Sequence, residues 1–162
     1  NKMYTPPSPA IGSLIQASDI GTLGAMLTGP TAFTPTLTNF SSSSPTITGH
    51  YWMMGNMCHV LVQAKLGTGT ITVGNITMTL PVPAYTTGLI TDSTFFSSTV
   101  GFNDVSASLE YWGLARFVDT NTVRIMRSSL SGAGTLITTS SSNPMTWATL
   151  DELSVAITYP IA

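Results

Sequence analysis

Residues Cys58 to Leu66 alternate strictly: Cys58, Val60, Val62, Ala64 and Leu66 interleave with His59, Leu61, Gln63 and Lys65. A period of two places successive side chains on opposite faces of an extended chain, so this run predicts a strand with one buried face. The pattern recurs. Ile76, Met78 and Leu80 alternate with Thr77 and Thr79. Leu109, Tyr111, Gly113, Ala115 and Phe117 alternate with Glu110, Trp112, Leu114, Arg116 and Val118. Leu153, Val155, Ile157 and Tyr159 alternate with Ser154, Ala156 and Thr158. Leu61, Trp112 and Leu114 make the second face partly apolar too, which suggests burial against another subunit.

Turn signals separate these runs at Ser41 to Pro45, Gly67 to Gly69, Gly74-Asn75, Asp119 to Asn121, Ser131 to Gly134 and Ser140 to Pro144. Strands at this spacing, without helical segments between them, predict an all-β sandwich or barrel over 31–162. The stretch 81–107 reads as looser, with loops and short strands around Phe95, Phe96 and Phe102. Residues 1–30 differ: Pro6, Pro7 and Pro9 give an extended strip, and four glycines interrupt the apolar positions that follow. They predict an extended N-terminal arm that docks through Tyr4, Pro6, Pro7, Ile11, Leu14, Ile15, Leu23, Met26 and Leu27.

Charge narrows the function. Only 7% of the 162 residues are charged and the net charge is −2, while 19 Ser and 27 Thr supply the polarity. Five scattered bases neutralise few phosphates, so nucleic-acid binding is not expected. No apolar run reaches the ~18 residues of a membrane-spanning helix, so no membrane insertion is expected. The single cysteine, Cys58, cannot form an intramolecular disulfide, and it reads as a small buried hydrophobe.

Catalytic groups are sparse. Cys58 and His59 are adjacent on a strand and face apart, so they make no nucleophile–base pair. One cysteine and two histidines lack the paired spacing of a zinc site. Gly67-Thr68-Gly69 and Gly132-Ala133-Gly134 continue into no phosphate-binding motif and read as turns. Asp151 and Glu152 are neighbours whose side chains should diverge, and Asp92, Asp104, Glu110 and Asp119 are scattered. The expectation is a protein that is not an enzyme, with no catalytic residue, cofactor or metal.

Four segments in order carry a resemblance: FTPTLTNF (33–40), ITGHYWMMGNMCHVLVQAKLGTGTITVG (47–74), ITMTLPVPA (76–84) and NPMTWATLDELSVAITY (143–159). Together they resemble a β-domain common in tailed-bacteriophage virion proteins. The matching positions are Pro35, Gly49, Tyr51, Gly55, Leu80, Pro81, Trp147, Asp151, Leu153 and Tyr159. Leu150 departs from the pattern, which often has Gly before the Asp. The resemblance covers 31–162 apart from a diffuse middle. It implies a jelly-roll-like antiparallel β-sandwich that assembles as a homotrimer and acts by binding.

Two functions fit that implication. One is a capsid decoration (cement) protein on the outer surface of the capsid, or a head fibre, with the arm lying on the major capsid protein or another virion protein. The alternative is the receptor-binding head of a tail fibre or tip, with a host-surface glycan as ligand and Phe95, Phe96, Tyr111 or Trp112 as stacking residues. At the position of Asp151 the resemblance implies a turn-capping carboxylate that accepts backbone amides at the start of the last strand, with Glu152 an exposed neighbour.

Overall fold

A computed structural model describes residues 29–85, 97–128 and 135–161. The arm contacts expected within 1–28, together with Phe95, Phe96 and the Ser131 to Gly134 turn, lie outside the described residues. The described chain is all-β. Its strands are β1 (Thr31–Phe33), β2 (Leu37–Ser41), β3 (Thr46–Met54), β4 (Met57–Lys65), β5 (Thr72–Thr79), β6 (Ser97–Asp104), β7 (Leu109–Phe117), β8 (Thr122–Ser128), β9 (Leu136–Thr138) and β10 (Glu152–Pro160). They form one antiparallel sheet in the order β1-β3-β4-β10-β6-β7-β8-β5-β2, with β9 also pairing β8.

β1 and β2 lie at opposite ends of that order, yet only Thr34, Pro35 and Thr36 join them. Four Cα–Cα steps span at most about 14 Å. The sheet must therefore curl until its two edges nearly meet, which yields the jelly-roll-like sandwich. Pro35 is buried in this link. Thr36 is fixed to β5 at both backbone groups: its amide donates to Thr79 Oγ1 at 2.9 Å, and its carbonyl accepts from the Thr79 amide at 3.1 Å.

The curled sheet encloses the apolar sets expected from the alternation. Val60, Val62, Leu66, Ile76, Met78, Ala115, Phe117, Leu153, Val155, Ile157 and Tyr159 are all buried. Leu109, expected on the buried face, is instead exposed, because it starts β7 beyond the end of the core. Trp147 spans the interior. Its ring meets Phe40 of β2 edge-on at 5.6 Å and Phe102 of β6 at 6.0 Å, so it touches strands far apart in the sheet. Its indole N–H donates to the Ser140 carbonyl at 3.0 Å, so the large ring is buried without an unpaired polar group.

Two expectations need correction. Gly74-Asn75 is not a turn, because β5 runs through it. The local irregularity sits in β2, where the register with β5 shifts between Thr38 and Phe40. Asn39 there takes φ 57° and donates its side-chain amide to the Asn75 carbonyl at 3.0 Å. The Thr139 hydroxyl accepts from the Ile76 amide at 2.9 Å and donates to the Gly74 carbonyl at 2.8 Å, so the β5 backbone stays satisfied. The looseness expected over 81–107 also fails in part. β6 is a full strand between β10 and β7, and Val100 and Phe102 are buried. Ser97, Ser98, Thr99 and Gly101 hide its alternation, since small polar residues carry little periodic signal.

Replacing Trp147 by Ala removes the ring that bridges β2 and β6. The expected loss is about 3–5 kcal/mol of unfolding free energy, read from the midpoint of a guanidinium titration at unchanged m-value.

Candidate binding face

Among the motif residues, Gly55 and Tyr159 lie toward one end of the sandwich and Asp151 toward the other, with Gly49 and Tyr51 between them. Gly55 has φ 59° as the first central residue of the two-residue β3–β4 hairpin, where glycine suits the turn. Tyr51 is half-buried and meets Phe33 edge-on at 5.8 Å. Phe33 lies over Gly49, its cross-strand partner. A Cβ at Gly49 would sit 2.6 Å from the Phe33 ring, so only glycine lets β1 dock there. Tyr159 donates its buried hydroxyl to the Val82 carbonyl at 2.9 Å, which ties the Leu80-Pro81-Val82 segment to β10. Pro81 is half-buried beside that bond. Burial pushes the Tyr159 hydroxyl far above its ordinary value, and also raises the Cys58 thiol beside it. Cys58 is a protonated core side chain.

At the other end, Asp151 is fully buried and Glu152 turns to the opposite face. The Asp151 carboxylate accepts from the Ala148 amide at 2.7 Å and from the Val105 amide at 3.0 Å. The first bond closes the turn into β10. The second clamps the β6–β7 connection, 46 residues away, which no local pattern could announce. The Asp151 carbonyl accepts from the Leu66 amide at 2.9 Å, and the Leu150 amide donates to the Leu66 carbonyl at 3.0 Å. Leu150 has φ 74° and is exposed, so it holds a left-handed backbone at the position where the motif often has Gly.

Asp104 sits at the same corner and accepts from the Ser106 hydroxyl at 2.7 Å and the Ala107 amide at 2.9 Å. Those bonds, the hydroxyl first, hold its pKa below the ordinary 3.8. Burial pushes Asp151 above 3.8, against the opposing pull of its two amide donors and with a further upward push from Asp104.

These residues hold the fold together; the candidate surface is the outward face of five adjacent strands. Across it, Thr46, Lys65, Glu152, Asn103 and Glu110 form one cross-strand row on β3, β4, β10, β6 and β7. The next row is Thr48, Gln63, Ser154, Gly101 and Trp112. Together they line a trough with a cavity volume of about 390 Å³. Lys65 pairs with Glu152 at 3.1 Å, and the Asn103 amide donates to the same carboxylate at 3.4 Å. Trp112 is 62% exposed at the trough's edge. Further along the same face, Leu61 is exposed, and Leu114 and His59 are half-buried. The His59 ring stacks on Trp52 at 5.5 Å, and its Nδ1 lies 2.9 Å from Thr158 Oγ1.

The sequence brings Glu110, Trp112 and Lys65 to the outer face by alternation alone. Their meeting with Thr46, Asn103 and Glu152 depends on strand order, which the sequence does not display. Glu110 and Glu152 lie two strands apart, about 9.6 Å between backbones. Glu152 is engaged by Lys65 and Asn103. Among the described residues, no group of three His, Cys, Asp or Glu side chains is placed to hold a metal ion. No helix is long and apolar enough to cross a membrane among the described residues.

Leu150→Gly relieves the left-handed strain, and a rise of up to about 1 kcal/mol in unfolding free energy is expected, checked by thermal melting. Asp151→Ala leaves the Ala148 and Val105 amides without their acceptor and should cost about 2–4 kcal/mol, checked by denaturant titration. The two acids at this corner respond oppositely to pH. The contribution of Asp104 is present above 3.8 and is lost as pH falls through its lowered native value. That of Asp151 is full below 3.8 and is lost as pH rises through its raised native value. Stability-versus-pH curves should lose the first slope in Asp104→Asn and the second in Asp151→Asn.

No family model, curated protein or solved structure matches this chain.

Proposed function

We propose that the protein is a non-enzymatic structural component of a tailed-bacteriophage virion. In this reading it is a homotrimeric capsid decoration protein on the outer surface of the shell, anchored through residues 1–30. The observation that carries the reading is the outward sheet face. Leu61 is 48% exposed and Leu114 half-buried on a surface with few charges to keep neighbours apart. Such a face serves self-association. The motif order over 31–162 adds the phage setting, and its matching residues sit at the turns and clamps that hold the sandwich together. Threefold symmetry would multiply weak contacts with the shell into avidity.

A second reading, the receptor-binding head of a tail fibre or tip, is favoured by the trough itself. Capsid cement has no need of a cavity lined by mixed polar groups beside an exposed indole.

Sedimentation tests the assembly. The expected result is a trimer at micromolar concentration, converted to monomer by Leu61→Glu without a shift in unfolding midpoint. A stable wild-type monomer would count against the trimer in both readings. Removing residues 1–30 should abolish binding to undecorated capsids while leaving the sandwich folded. Binding to bare host cells and not to such capsids would reverse the order of the two readings.

A further inference from the structure

We infer that the trough across β3, β4, β10, β6 and β7 is a binding site for a neutral oligosaccharide. It deepens the receptor-binding reading above and rests on it for the source of the ligand, a host-surface glycan.

The chemistry of the lining points to sugar. A pyranose ring has an apolar face of C–H groups and a rim of hydroxyls. It is held by a flat aromatic side chain together with planar amides and carboxylates that bond neighbouring hydroxyls. Trp112 supplies the aromatic plane. Its ring is exposed and lies over Gly101, where an added Cβ would come within 4.0 Å of the indole and 2.7 Å of Ser154 Oγ. Glycine there keeps the floor low beside the ring. Gln63 and Glu110 are exposed and Asn103 is half-buried, so planar polar groups flank the floor on three strands. The cavity, about 390 Å³, falls in the range of small-molecule sites.

Charge selects among sugars. The Lys65 ammonium is matched by Glu152 at 3.1 Å, which leaves Glu110 as the excess charge of the trough. An anionic ligand would meet net repulsion, whereas a neutral one would not. An extended peptide fits less well. The trough crosses the strands rather than following an open sheet edge, and it offers one aromatic in place of the alternating apolar pockets that peptide side chains fill.

The test uses the full chain against a printed array of neutral, N-acetylated and acidic oligosaccharides, followed by titration calorimetry with the best neutral binder. Wild type should bind neutral oligosaccharides in preference to acidic ones. Trp112→Ala should weaken binding by about tenfold or more, and Trp112→Phe by no more than about threefold. Gln63→Ala and Asn103→Ala should each weaken it without loss of melting temperature. Retention of full affinity in Trp112→Ala would overturn the assignment. So would dissociation of the oligomer by Trp112→Ala, which would make the indole an interface residue. If wild type binds no oligosaccharide yet still adheres to host cells, the sugar site falls and the receptor reading stands. Oligosaccharide binding without adhesion would keep the site and remove the receptor reading. Absence of both would remove both.

Discussion

The short link Thr34 to Thr36 imposes the constraint on which the fold depends. It holds both ends of a long antiparallel sheet within a few residues of each other, so the sheet has to close around its own apolar face. Closure gives Trp147 its place, because only a curled sheet brings Phe40 of β2 and Phe102 of β6 to the same ring. It also limits free sheet edges, which are otherwise templates for unwanted pairing. Pro35 suits this link, since it needs no ladder donor and its fixed φ favours an extended crossing.

Much of this was legible beforehand. The alternation of Cys58 to Leu66, of Tyr111 to Phe117 and of Leu153 to Tyr159 identified inner and outer faces residue by residue, because a half-buried strand writes its burial directly into every second position. β6 was not legible. Its inward positions include Ser98 and Asp104, and its centre is Gly101, so a strand in the middle of the sheet reads like a loop. Gly74-Asn75 misled for the converse reason: turn-type residues sit inside β5, opposite a bulge that the Asn39 and Thr139 side chains satisfy. Asp151 was readable as the acceptor of a nearby amide. Its bond to Val105 was not, since it depends on β10 lying beside β6.

The same limit governs the trough. Each of its rows takes one residue from each of five strands, and those strands are scattered from Thr46 to Ser154 in the chain. Alternation assigns Gln63, Lys65, Glu110, Trp112 and Ser154 to the outward face, but only the order β3-β4-β10-β6-β7 makes them neighbours of one another and of the β6 residues. The structure thereby separates two kinds of residue. Gly49, Gly55, Leu150 and Asp151 are bound by backbone geometry. Gln63, Glu110 and Trp112 could change without disturbing the fold, and so are open to selection for what they touch.

The position of β10 has a consequence for biosynthesis. Glu152 to Pro160 is the final strand of the described chain, yet it pairs with β4 on one side and β6 on the other. Until it leaves the ribosome, the β3–β4 hairpin and the β6–β7–β8 meander each keep an unpaired flank, and the ring of Trp147 has no closed interior to enter. Closure of the sheet therefore waits until residues 152–160 have been made, and the sandwich then condenses through contacts between distant parts of the sequence.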